Sequence, residues 1–158
     1  MSKPQRIVNI AELALQDGGN GKGFQAKLGR VGPLLGLKRL GCSLTVVPPG
    51  KRAWPFHRHH VTDELFYIVS GSGEVRLDDQ TLAVRAGDLI ASNTGASELR
   101  YLAISDVNTV DIIEYPDSGK VGMAAGVKDG NLSSASYKAM GRVTPADYFD
   151  GEDTNDKR

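Results

Sequence analysis

The stretch "ELFYIVSGSGEVRL", residues 64–77, sets the architecture of this chain. Residues 64–71 are rich in aromatic and β-branched side chains, the composition of a strand. Gly71-Ser72-Gly73 follows, and residues 74–77 resume an extended pattern, so the segment reads as a hairpin turning at 71–73. Leu65, Tyr67 and Val69 are as apolar as Phe66 and Ile68, so both faces of the first strand need covering. A second copy of the chain is one such cover, and a homodimer is expected.

Working outward, "LKRLGCSLTVV" (37–47) is extended, with Leu40, Cys42, Leu44 and Val46 on one face. Pro48-Pro49-Gly50 stops it, because proline lacks an amide donor and glycine permits the turn. Beyond the hairpin, Asp78-Asp79-Gln80 makes another turn, and "DLIA" (88–91), "LRYLAIS" (99–105) and "VDIIEY" (110–115) follow as strands. Short strands at close spacing, separated by the 19 glycines and 7 prolines, describe an all-β sandwich or barrel. The one helical pattern is "IAELALQ" (10–16). Residues 117–136 are rich in glycine and serine and read as irregular surface chain, ahead of a polar, mobile tail.

The 158 residues are those of one domain, able to bury a substantial core. Its 19 basic and 19 acidic side chains cancel, which leaves no field to recruit nucleic acid or an anionic membrane. No segment reads as a signal peptide, and no run approaches the roughly 20 apolar residues of a membrane span. The single cysteine, Cys42, excludes an intramolecular disulfide and fits a reducing cytoplasm. Its place within a strand reads as that of a small buried apolar residue.

All three histidines fall within four positions, at His57, His59 and His60. On an extended segment His57 and His59 face one way and His60 the other. Two imidazoles on one side, joined by the carboxylate of Glu64, can converge on a divalent cation such as zinc, iron, manganese or nickel, with positions left for water or substrate. The plain alternative is a solvated polar turn. Asp63 should face away from Glu64, and Lys51, Arg52 and Arg58 lie where they could meet a substrate phosphate or carboxylate. Trp54, Phe56, Phe66 and Tyr67 read as packing residues.

Gly50, six residues, His57-Arg58-His59, four residues, Glu64, six residues, Gly71: this spacing resembles the first signature of the cupin superfamily. The resemblance implies a single jelly-roll-like β-barrel with short or no helices, and His57, His59 and Glu64 as metal ligands. It also implies a division into N-terminal strands packing on the barrel (1–36), a barrel core (37–116) and an irregular C-terminal segment (117–158). More narrowly, "GRVGPLLGLKRLG" (29–41), "TVVPPGKRAWPFHRHH" (45–60), "ELRYLAIS" (98–105) and "EYPDSGKVG" (114–122) look like a group of small bacterial cupins labelled sugar-phosphate isomerases by fold-level analogy.

The second cupin signature, begun by "RAGDLIA" (85–91), is not completed. Counting on from Gly87 puts Asn93, Gly95 and Glu98 where the signature has proline, glycine and histidine, which makes Glu98 a substitute ligand. In a second register Asn93-Thr94-Gly95 is the turn after the histidine, and a stretch between Ala91 and Ser92 that would hold the fourth ligand is absent. Three functions are compatible with these residues. In a metal-dependent aldose–ketose isomerase acting on a sugar phosphate or other small polar substrate, Glu98 would shuttle the proton. An iron dioxygenase would use the two-histidine-one-carboxylate set. The third is a non-catalytic module that binds a small ligand.

Overall fold

The computed structural model describes residues 6–91, 99–128 and 131–152. Its strands are β1 (Gln16–Gly19), β2 (Gln25–Arg30), β3 (Leu40–Val47), β4 (Arg58–His59), β5 (Glu64–Leu77), β6 (Gln80–Arg85), β7 (Leu89–Ile90), β8 (Leu99–Asp106), β9 (Val110–Tyr115), β10 (Lys120–Ala125) and β11 (Tyr137–Gly141). They form two antiparallel sheets. The larger runs β1-β2-β3-β8-β5-β6, with β7 also pairing β5, and the smaller runs β11-β10-β9-β4. One four-residue helix, α1 (Gly32–Leu35), carries Pro33 in its first turn and is closed by Gly36 at φ 69°. The all-β reading with short helices holds, and no helix among the described residues is long and apolar enough to cross a membrane.

The decisive stretch departs from the expected hairpin. Residues 64–77 form one continuous strand that pairs β8 through Gly71 and β6 from Ser72 onward. Inward-facing side chains show how. Phe66 and Ile68 are buried at even positions, whereas Val75 is buried at an odd one. Alternation cannot give both unless one extra residue is inserted, and the register slips between Ile68 and Ser70. Gly71 sits just beyond this bulge at φ 85°, a conformation that costs glycine little. The extra residue at Val69 therefore keeps Phe66, Ile68 and Val75 in one core, and Gly71-Ser72-Gly73 continues the strand. The true turn comes at Asp78-Asp79, with Asp78 at φ 49°.

Two further expectations change. The helical pattern at 10–16 becomes a 3-10 turn at Ile10–Glu12, capped by the Asn9 side chain, and β1 starts at Gln16. Leu13 and Leu15 both lie over Gly29, where an added Cβ would approach their side chains to 3.3 and 2.8 Å. Residues two apart share a face in extended chain and not in a helix, so packing overrides the local pattern. The stretch 117–136, read as irregular, contains β10, which is hydrogen-bonded on both sides by β9 and β11.

Leu44 lies opposite Gly29 in the β2–β3 ladder and is 1% exposed, on the face that Leu13 and Leu15 cover. Leu44→Ala should cost about 2–5 kcal/mol. Urea unfolding would show this as a lower midpoint at unchanged slope; a midpoint equal to that of the parent protein would contradict the covered-face packing.

Candidate metal centre

β4 is only two residues long and pairs with β9 through Arg58 opposite Glu114 and His59 opposite Ile113. This pairing fixes the parity of the histidine cluster. Arg58 and His60 point to one side, where Nε of Arg58 donates to a Glu114 carboxylate oxygen at 2.7 Å and Nε2 of His60 lies 3.2 Å from the same atom. His57 and His59 point to the other, their rings in edge contact at 5.1 Å. One donor atom from each of His57, His59 and Glu64 falls within 4.8 Å of the others, and Nε2 of His59 lies 3.8 Å from the Glu64 carboxylate.

Both imidazoles are oriented by what holds Nδ1. In His57 the Nδ1 proton is donated to the Pro55 carbonyl at 2.7 Å, and in His59 to a carboxylate oxygen of Asp111 at 2.5 Å. A carbonyl and a carboxylate only accept, so each ring keeps its second nitrogen, Nε2, as a free lone pair. Carboxylate or carbonyl support of this kind fixes the tautomer of metal-binding histidines. Tyr115 stacks on His57 at 5.8 Å and closes that side. Asp111 is 3% exposed, and its other oxygen, Oδ1, is buried without a hydrogen-bond partner.

Sequence reading missed Asp111. It lies 52 positions from His59, and one aspartate on a strand carries no signal until the strand's partner is known.

Burial acts on the two kinds of donor in opposite directions. Desolvation lowers the His57 pKa below 6.5, against the raising effect of its bond to Pro55. Desolvation raises Glu64 above 4.5, opposed by His59 and reinforced by Asp111. In both cases burial disfavours the charged form. A divalent ion reverses this for Glu64 and needs the neutral imidazole that burial already favours.

The three side chains open onto a cavity of about 390 Å³ between the two sheets. Its described lining holds three carboxylates, Glu64, Asp106 and Asp111, against a single lysine or arginine, Arg30. The excess negative charge suits a cation. None of the basic residues expected at the mouth lines it. Lys51 donates to the Lys22 carbonyl, the Arg52 backbone bonds to the 23–25 strand region, and Arg58 turns to Glu114. Trp54 and Phe66, read as packing residues, line the cavity as well as touching the core, whereas Phe56 lies under the Arg76 guanidinium at 4.0 Å. Cys42 also lines it, half-buried, with its thiol pKa raised by desolvation. Glu98, the candidate proton shuttle and substitute ligand, lies outside the described residues, as does the 91–92 junction with its missing-loop question.

Comparison with known proteins bears on the fold that carries these residues. No curated protein matches the sequence at a significant level. Among solved structures, a protein of Acidithiobacillus ferrooxidans named as a candidate sugar phosphate isomerase is 20% identical, with a TM-score of 0.68 over 87% of this chain and 93% of its own. A sugar phosphate isomerase of the cupin superfamily from Silicibacter pomeroyi is 16% identical, with a TM-score of 0.69 over 86% and 92%. A predicted oxalate decarboxylase of Thermotoga maritima is 19% identical, with a TM-score of 0.53 over 65% of this chain and 99% of its own. At such identities the likeness is one of fold. Residues 43–108, the span from β3 past β8 that contains all three histidines and Glu64, match the cupin domain family.

Proposed function

We propose that this protein is a metal-dependent enzyme acting on a small polar molecule, with a divalent ion held by Nε2 of His57, Nε2 of His59 and the Glu64 carboxylate. The observation that carries the reading is the convergence of these three donor atoms within 4.8 Å at the wall of a cavity between the two sheets. Zinc, iron, manganese and nickel all accept such a set. When bound, the ion supplies Lewis-acid polarisation of a substrate carbonyl. The chain's own residues do the remaining work. Pro55 and Asp111 hold the two rings in the donor tautomer, and Tyr115 buttresses His57.

The reaction type favoured is that of an aldose–ketose isomerase, in which a proton moves between adjacent carbons beside a carbonyl. The names of the two neighbours with the higher TM-scores support it. A second reading, a non-haem iron dioxygenase, is favoured by the two-histidine-one-carboxylate set itself, which leaves positions for both substrate and oxygen. Elemental analysis of protein purified without chelators, followed by aerobic turnover assays, separates these readings. Oxygen uptake selects the dioxygenase, and metal without turnover selects a binding module.

Alanine at His57 or His59 should reduce Zn²⁺ affinity by more than about 100-fold, because losing a ligand costs more than losing its supporting hydrogen bond. His60→Ala should leave it unchanged, since His60 bonds Glu114 on the opposite side of β4. Asp111→Ala should lower it by about 10–100-fold. Titration calorimetry gives all four values, and an equal loss in the His60 variant would refute the parity assignment.

The pH dependence follows from the two shifts. Burial makes His57 take up a proton at lower pH than a free imidazole and Glu64 at higher pH than a free carboxylate, so affinity should fall as the pH drops below about 6.5. A loss centred above 6.5 would contradict the desolvation of His57.

A homodimer is also proposed. Leu65 and Tyr67 on β5 and Leu89 on β7 are 39, 38 and 65% exposed on the outer face of the larger sheet. Light scattering should give twice the monomer mass at micromolar concentration, and this mass should halve in Leu65→Lys/Tyr67→Lys. A parent protein that is monomeric there would exclude the interface.

A further inference from the structure

The cavity lining also has an apolar part. Leu28, Leu37, Leu40, Trp54, Phe66 and Leu132 line it, and of these only the Trp54 indole carries a hydrogen-bonding side-chain group. Several of the polar residues that share the lining are already engaged. The Asn108 amide donates to the Asp106 carboxylate at 2.8 Å and contacts the Thr62 hydroxyl at 3.4 Å, and the other Asp106 oxygen accepts the Asp63 amide at 2.9 Å. A polyhydroxylated ligand needs a partner for each hydroxyl it buries, because an unpaired buried polar group is costly. The leucines and Phe66 have none to offer, and beyond the engaged groups the lining adds the hydroxyls of Ser43, Ser105 and Tyr115.

Charge points the same way. With neutral imidazoles, a divalent ion and Arg30 together balance Glu64, Asp106 and Asp111, so each negative charge a ligand brings is in excess and one is accommodated more easily than two. A phosphate ester carries close to two negative charges at neutral pH. Here it would sit with Asp106 and Asp111 in the same cavity, and Arg30 is the one lysine or arginine among the described lining residues. That guanidinium is partly committed, since Nη2 donates to Asn131 Oδ1 at 3.2 Å.

We propose that the cavity takes a monoanionic chelating acid with an apolar body: a 2-oxo or 2-hydroxy carboxylic acid bearing an aryl or branched alkyl group, in preference to a phosphate ester. The inference rests on the metal-centre reading and departs from the substrate named for the structural neighbours. The two oxygens of the acid face His57, His59 and Glu64, and its apolar group lies against Trp54, Phe66 and the leucines. Such a ligand suits the dioxygenase reading, which needs only a chelating oxygen pair, and is no substrate for aldose–ketose isomerisation, which needs a hydroxyl on the carbon beside the carbonyl.

Calorimetry on zinc-loaded protein, with phenylpyruvate, pyruvate and glucose 6-phosphate as probes, tests this directly. Burying the ring should make phenylpyruvate bind at least roughly tenfold more tightly than pyruvate. Glucose 6-phosphate should bind most weakly of the three. Leu132 is 41% exposed at the cavity rim, so Leu132→Gln should fold and should shrink the phenylpyruvate-to-pyruvate ratio. Glucose 6-phosphate binding as tightly as phenylpyruvate, or equal affinities for phenylpyruvate and pyruvate, would overturn the proposal. Zinc uptake by the parent protein and by His57→Ala is measured first. If neither takes up zinc, the metal reading fails by itself, and thermal stabilisation of the metal-free protein by the same probes is read instead. Equal stabilisation by phenylpyruvate and pyruvate there also overturns the proposal.

Discussion

Between His59 and Glu64 the chain leaves one sheet and enters the other, and the site exists because this crossing is short and tied down. His59 belongs to the β4–β9 ladder, whereas Glu64 opens β5 opposite Ser105 of β8. A second crossing, from β8 to β9, runs alongside it, and the two are bonded to each other. Asp63 donates its amide to the Asp106 carboxylate, Asp106 returns its amide to the Asp63 carbonyl at 3.2 Å, and Asn108 reaches Thr62 and Asp106. These contacts fix how closely the sheets approach at this corner, and hence the 3.8 Å between Nε2 of His59 and Glu64. The same pair of crossings brings Asp111 of β9 behind His59. Loosening either one would separate donors that belong to different sheets.

Burial then gives the corner its chemical bias. Glu64 and Asp111 are carboxylates in a pocket that favours neutral groups, and the Asp111 oxygen without a partner is a standing cost to stability. Apolar side chains in these places would stabilise the fold more simply. An arrangement that pushes Glu64 towards its acid form and His57 towards its neutral form is poised to be relieved by a cation, and functional sites concentrate such strain. Asp111 has a double effect. It raises Glu64 by repulsion while it orients His59, so the group that supports one donor also makes the empty site less favourable.

What could be read in the sequence divides along a physical line. Features set by one strand's alternation were legible: His57 and His59 together, His60 apart, Asp63 away from the Glu64 carboxylate. So was the all-β character, because β-branched runs between glycines and prolines have few other solutions. Features set by pairing between distant segments were not. Asp111, Arg30 in place of Lys51, Arg52 and Arg58, and the 10–16 segment extended over Gly29 all depend on which strand lies beside which. The Gly-Ser-Gly triplet is the instructive case. Its composition fits a tight turn and a strand that continues past the bulge at Val69 equally well, and only the switch of buried parity from Ile68 to Val75 distinguishes them. That switch is visible in the sequence once the core positions are known, and ambiguous before.

The bulge also has a consequence at the site. Because β5 continues past Gly71 and does not reverse, its far end reaches the turn after β9. There Arg76 grips both oxygens of Asp117 at 2.7 and 2.9 Å and lies over the Phe56 ring at 4.0 Å. Phe56 immediately precedes His57, and Asp117 lies two residues beyond Tyr115, the ring stacked on His57. One guanidinium thus fastens both flanks of His57 from outside the cavity, with a cation–π contact of about 0.5–1 kcal/mol added to the bidentate pair. His57 has no ladder of its own, since β4 begins only at Arg58. Its position is therefore set by Pro55 on one side and by this clamp on the other. Had Gly71-Ser72-Gly73 reversed the strand, Arg76 would have been carried elsewhere, and the first of the three donors would have lost that outer brace.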